Sequence, residues 1–122
     1  MKFAHAGFAV KNLEDAKALW HELGFVVEKE FNKPEPKARV AVMNDGSNGK
    51  LELWEFDTFD TKFVDIIGRH IAFFCDDVKK DAAILKKRGY TEVIPFTEGI
   101  TVDYLFLQDE FGAFYELTQL KT

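Results

Sequence analysis

The feature that most constrains this chain is a repeat of its own first segment. With a shift of 65 residues and no gap, the stretch from His5 to Phe25 falls on the stretch from His70 to Tyr90. His5 meets His70, Phe8 meets Phe73, Ala18 meets Ala83, Gly24 meets Gly89 and Phe25 meets Tyr90. Apolar positions keep the same shift: Ala6 on Ile71, Leu13 on Val78, Leu19 on Ile84, Trp20 on Leu85. Further along the shift becomes 64, so that Val42-Met43-Asn44-Asp45 meets Phe106-Leu107-Gln108-Asp109, and Leu51-Glu52-Leu53 meets Tyr115-Glu116-Leu117. Such a chain is expected to fold as two copies of one supersecondary unit. Each copy opens with a histidine and closes with a glutamate.

Within the first copy, Lys2 to Val10 is a short β-type run ending at Lys11-Asn12. Asn12 is placed to cap a helix whose residues Leu13, Ala16, Leu19, Trp20 and Leu23 recur at helical spacing, and Gly24 is its stop. Phe25 to Phe31 resumes strand character. Lys33-Pro34-Glu35-Pro36-Lys37 reads as an exposed loop, because proline lacks the N–H that a ladder uses. Arg39 to Met43 and Lys50 to Phe56 predict a hairpin around the turn from Asn44 to Gly49. The unit is therefore βαβββ.

The second copy repeats the scheme. Arg69 to Cys75 is a strand and Asp77 a helix cap. Val78, Ala82 and Leu85 form the helix face, with Lys86, Lys87 and Arg88 favourably placed in the last turn. After Gly89 come strands at Thr91 to Phe96, Thr101 to Gln108 and Ala113 to Leu120, with turns at Thr97-Glu98-Gly99 and Asp109-Glu110-Phe111-Gly112. Between the copies, Phe59, Phe63, Ile66 and Ile67 predict a short amphipathic turn or helix. Neither copy can close a sheet alone. The expected fold is α+β: one domain over 1–122, made of tandem βαβββ modules at about 1–57 and 69–122. The modules pair into one curved, mostly antiparallel eight-stranded sheet with helices outside.

Composition narrows the function classes. At 122 residues the chain is one domain long. The excess of 21 acidic over 16 basic residues gives a net charge of −5, which argues against a nucleic-acid footprint. No apolar run reaches membrane-spanning length and no secretion signal opens the chain, so neither a membrane nor export is expected. Cys75 is alone, so no internal disulfide forms and a reducing cytoplasm is the expected location. The 13 phenylalanines read first as core, and a few of them as the lining of an apolar pocket. His21 is expected to be exposed, and Cys75 buried and inert.

Taken singly, His5, Glu52, His70 and Glu116 carry little. A histidine in an apolar strand is more often a hydrogen-bonded core residue than a ligand, and strand alternation lets a glutamate between leucines face water. Their equivalence in a duplicated unit changes this. A twofold arrangement brings four such side chains to one place, where two neutral imidazoles and two carboxylates balance a divalent cation. Coordination positions remain for water or substrate.

The pattern resembles the vicinal oxygen chelate superfamily, which includes glyoxalase I, methylmalonyl-CoA epimerase, extradiol dioxygenases and the fosfomycin- and bleomycin-resistance proteins. The segments that carry the resemblance are HAGFAVKNLEDAKALWHELGF, LELWEF, RHIAFFCDDV and DEFGAFYEL, which together span essentially the whole chain. The resemblance implies paired βαβββ modules in a cupped sheet, with metal ligands on the first and last strand of each. Carried over, those ligands are His5, Glu52, His70 and Glu116. The implied cofactor is one divalent ion per site: nickel, cobalt or zinc, with manganese or iron as further choices.

Within the superfamily the full His-Glu-His-Glu set looks most like glyoxalase I. Dioxygenases and fosfomycin-resistance enzymes lack a carboxylate at the position of Glu52, epimerases usually have an amide there, and binding-only resistance proteins generally lack the set. The leading expectation is thus a glyoxalase I-like lyase or isomerase. It would act on a small α-hydroxycarbonyl or thiohemiacetal-type substrate through an enediolate, with Glu116 or Glu52 as the proton carrier. The alternatives are a non-catalytic drug- or metabolite-binding protein and, behind it, an epimerase-like or ring-cleaving dioxygenase-like enzyme.

Glutathione-using glyoxalases commonly place an Arg four residues after the first His and an Asn four after the first Glu. Here those positions hold Ala9 and Phe56, which speaks against glutathione as co-substrate. Phe8, Trp54, Phe56 and Phe106 are the candidate apolar pocket residues, with Phe74 beside them. Arg69 and Arg39 are candidates for an anionic group on the substrate. The expected partner is a small molecule, and the resemblance implies a homodimer.

Overall fold

The alternation of apolar runs with helical stretches produces eleven elements in the computed structural model, which describes residues 1–58 and 62–121. In chain order they are β1 (Lys2–Ala9), α1 (Leu13–Glu22), β2 (Val26–Pro34), β3 (Lys37–Asn44), β4 (Lys50–Phe56), α2 (Lys62–Ile67), β5 (Arg69–Phe74), α3 (Val78–Lys87), β6 (Thr91–Glu98), β7 (Val102–Gln108) and β8 (Phe114–Leu120). Phe59, expected in the linking helix, lies outside the described residues. The strands form an eight-stranded sheet in the order β2-β3-β4-β1-β5-β8-β7-β6. The hairpins β2–β3, β3–β4, β6–β7 and β7–β8 are antiparallel, while β1–β4 and β5–β8 are parallel. This is the α+β fold of repeated βαβββ modules.

The chain divides into two compact units, one of His5–Arg69 and one of Met1–Ala4 with His70–Thr122. In the first, Leu13 of α1 packs on Ala41, Met43 and Leu53, flanked by Phe8, Ala16, Trp20 and Phe25. In the second, Val78 and Ala82 of α3 pack on Leu105, Leu107, Leu117 and Cys75, flanked by Phe73, Leu85, Tyr90 and Phe96. Each helix thus seals one face of its own strands.

Helix entry is solved twice over in each unit. The Asn12 carboxamide oxygen accepts from Asp15 N at 3.0 Å, and Glu55 Oε2 accepts from Leu13 N at 2.9 Å. Correspondingly, Asp77 Oδ1 accepts from Lys80 N at 3.1 Å and Gln119 Oε1 from Val78 N at 2.9 Å. These bonds satisfy amides that a helix leaves orphaned at its start. The exits match as well: Gly24 and Gly89 adopt φ of 102° and 98°, left-handed conformations open to glycine.

Two sequence expectations are corrected. The segment Lys33–Lys37 is not all loop, because the ladder continues through Lys33↔Ala38 and Pro34↔Lys37, leaving only Glu35-Pro36 as the turn. A proline is tolerated there because β2 is an outermost strand, with a partner strand on one side only. Likewise Thr97 and Glu98 pair with Tyr104 and Asp103 rather than turning, and Gly99 N closes the turn on Val102 O at 2.8 Å.

Candidate metal centre

The register of each parallel pair decides where the histidines and glutamates go. Glu52 lies directly across from Gly7, two residues beyond His5, and Glu116 lies across from Ala72, two residues beyond His70. A spacing of two keeps both side chains of a pair on one sheet face. Since Gly7 and Ala72 carry at most a methyl group, neither crowds the gap between histidine and carboxylate. In the first unit His5 Nε2 stands 3.3 Å from Glu52 Oε1, and in the second His70 Nε2 stands 3.3 Å from Glu116 Oε1. The His70 side chain is 1% exposed and those of His5, Glu52 and Glu116 are 14–16% exposed.

One ligand atom from each of His5, Glu52, His70 and Glu116 lies within 4.8 Å of the others, so the four form a group that can hold a metal ion. The chemistry of the set fits a divalent cation. Two carboxylates balance its charge, and mixed imidazole nitrogen and carboxylate oxygen donors suit zinc, nickel, cobalt, iron and manganese.

The aromatic residues singled out from the sequence have different roles. The Phe106 ring meets His70 edge-on, with centroids 5.1 Å apart, and Phe106 pairs directly with Glu116 across the strands. Trp54 and Phe56 are buried and stacked on each other, 5.5 Å apart at 19°. Trp54 also carries a polar contact: its Nε1 donates to Glu52 Oε1 at 2.8 Å. Phe8 faces the other way, three residues from His5 on an alternating strand, and packs against Trp20 of α1. Arg69 is exposed and joins Asp65 at 3.2 Å, while Arg39 bridges Glu14 at 3.1 Å and Glu55 at 3.5 Å. Phe74 is 40% exposed.

His21 is exposed, its Nδ1 3.3 Å from Phe25 O. Cys75 is buried, and its burial, followed by a hydrogen bond with Asp81, pushes the thiol up to about 12, which makes it inert near neutrality. The sequence reading missed the Trp54–Glu52 bond and the cap acceptors Glu55 and Gln119. Each had a signal. Residues two apart on a strand share a face, and Glu55 and Gln119 correspond under the same shift of 64.

Among the described residues no helix is long and apolar enough to cross a membrane. A family model described as the Glyoxalase/Bleomycin resistance protein/Dioxygenase superfamily matches residues 4–104. No curated protein matches by sequence. Solved structures do. A hypothetical protein from Bacillus halodurans C-125 is 21% identical, with a TM-score of 0.81 over 99% of this chain and 95% of that one. Methylmalonyl-CoA epimerase from Mycobacterium tuberculosis is 22% identical, with a TM-score of 0.79 over 99% and 89%. A Streptomyces coelicolor methylmalonyl-CoA epimerase variant in complex with 2-nitronate-propionyl-CoA is 25% identical, with a TM-score of 0.78 over 100% and 99%.

Proposed function

The chain belongs to the Glyoxalase/Bleomycin resistance protein/Dioxygenase superfamily, and on that footing we propose that it is a metal-dependent lyase or isomerase of glyoxalase type. Its substrate would be a small α-hydroxycarbonyl or thiohemiacetal. The observation that carries this reading is the pair of carboxylates, Glu52 and Glu116, grouped with two histidines. A bound divalent ion supplies Lewis acidity, polarising a carbonyl and offsetting the negative charge that proton loss leaves. His5 and His70 would hold the ion, together with a carboxylate of the set. One carboxylate of the set, Glu116 or Glu52, would take the proton from the carbon beside the carbonyl and return it to the neighbouring carbon, while the other stays with the histidines. Phe106, whose ring lies against His70, is the apolar residue best placed to face the substrate.

The test is to strip the protein with chelator, reload it with Ni, Co, Zn, Mn or Fe(II), and assay it with methylglyoxal thiohemiacetals. About one ion per chain, turnover that returns with the metal, and loss of both in His70→Ala are expected. Turnover indifferent to chelation overturns the reading.

A second reading, an epimerase of acyl-CoA esters, is favoured by the 25% identical epimerase structure, which covers the whole of this chain. There the proton returns to the same carbon. Deuterium washed from solvent into the α-position of an acyl-CoA ester, without conversion of thiohemiacetal, selects that reading. The proposed working form is a homodimer in the cytoplasm; sedimentation at 14.0 kDa alone overturns the dimer.

A further inference from the structure

We infer that Trp54 is a positioning residue for the proposed metal centre, its indole N–H fixing Glu52 as a stationary ligand. The inference rests on the metal-binding reading above and adds a division of labour between the two carboxylates. Trp54 sits two residues beyond Glu52 on β4, so both side chains leave the same face of the strand. Its side chain is buried and stacked on Phe56, which fixes the plane of the indole. A buried indole N–H needs an acceptor, and the acceptor here is Glu52 Oε1 at 2.8 Å.

That same oxygen lies 3.3 Å from His5 Nε2. A carboxylate oxygen has two lone pairs, so the indole can occupy one and leave the other for the ion. If Glu52 swung away, it would strand a buried donor. Glu52 is therefore the carboxylate that stays. The proton-carrying role passes to Glu116, whose strand has Thr118 at the position equivalent to Trp54, a residue with no indole to offer.

The experiment is a Co(II) titration of the full chain, followed by visible absorption, for the wild type, Trp54→Phe and Trp20→Phe. Trp54→Phe keeps an aromatic ring and removes the N–H. Trp20→Phe is the control, since Trp20 lies on α1 and packs against the core of the first unit. The expected result is Co(II) affinity at least about 10-fold weaker in Trp54→Phe, with an altered ligand-field spectrum, and near-wild-type values in Trp20→Phe. Affinity within twofold and an unchanged spectrum in Trp54→Phe overturn the inference and leave the metal reading standing. No Co(II) binding by the wild type overturns both.

Should Trp54→Phe fail to fold, Trp20→Phe still decides. Its single indole N–H resonance is that of Trp54, and Zn(II) must shift it. A resonance unmoved at saturating Zn(II) overturns the inference.

Discussion

Asp45 and Asp109 sit at the same place in the two repeats and do the same work. Asp45 Oδ1 accepts from Ser47 N at 2.8 Å and Gly49 N at 3.1 Å; Asp109 Oδ1 accepts from Phe111 N at 3.0 Å and Ala113 N at 2.9 Å. The helix caps, the second acceptors Glu55 and Gln119, and the glycines at the helix exits correspond just as closely. The repeats part company around the carboxylates. Glu52 is flanked by Trp54 along its strand and by Val42 across it, while Glu116 is flanked by Thr118 and Phe106. A single bulky aromatic stands beside each glutamate, but on different sides, and only Trp54 is polar. Orphaned amides and sharp turns pose the same local problem in both repeats and admit few answers. The surroundings of a carboxylate are not so bound, and that is where two copies of one unit can take up different chemical duties.

The largest expected effect tests that division directly. Glu116→Gln is expected to lower kcat by about 10²–10⁴-fold with the fold intact, whereas Glu52→Gln acts chiefly on metal retention. Equal losses of kcat at equal metal occupancy would erase the contrast. Packing, by comparison, is expected to be symmetric. Leu53→Ala and Leu117→Ala remove equivalent side chains with no exposure, and each is expected to cost about 2–5 kcal/mol in urea unfolding. A gap of more than about 2 kcal/mol between them would show that the two cores differ in how well they can collapse. At the caps, Asn12→Ala and Asp77→Ala are each expected to cost about 1 kcal/mol.

The smallest effect belongs to the second repeat. The Tyr115 hydroxyl donates to Asp109 Oδ2 at 2.8 Å, and the equivalent of Tyr115 in the first repeat is Leu51. This bond, aided by Ala113 N, holds the Asp109 carboxyl below its ordinary 3.8 and pushes the Tyr115 hydroxyl from 10.0 up to about 12. A lowered carboxyl contributes stability above pH 3.8 that is lost as the pH falls further. A raised hydroxyl contributes stability below pH 10.0 that is lost as the pH climbs towards 12. Tyr115→Phe is therefore expected to flatten both limbs of an unfolding profile against pH, and an unchanged profile would dismiss the bond as a stability element.

Much of this is legible in the sequence itself, because a duplication prints its evidence twice. His5 alone is an ambiguous strand histidine; His5 with His70, each matched to a glutamate, is a candidate ligand set. What escaped was whatever depends on position within the sheet. Pro34 looks like a ladder-breaker in any window of sequence, and only its place on an outermost strand makes it harmless. Phe8 reads with the pocket aromatics in the sequence, yet its odd spacing from His5 puts it against α1. Trp54 reads as an apolar wall because counting it with the aromatics hides its one donor.

The two outermost strands have a consequence of their own. An unclosed sheet presents unpaired amides at its margins, where another chain can dock strand to strand and begin a fibre. Here β2 carries Pro34 and a register break between Val27 and Lys29, and β6 carries Pro95 and two such breaks. The lysines Lys29 and Lys33 also lie along β2. Both margins are thus poor templates, so the sheet can remain unclosed at working concentrations without inviting its own polymerisation.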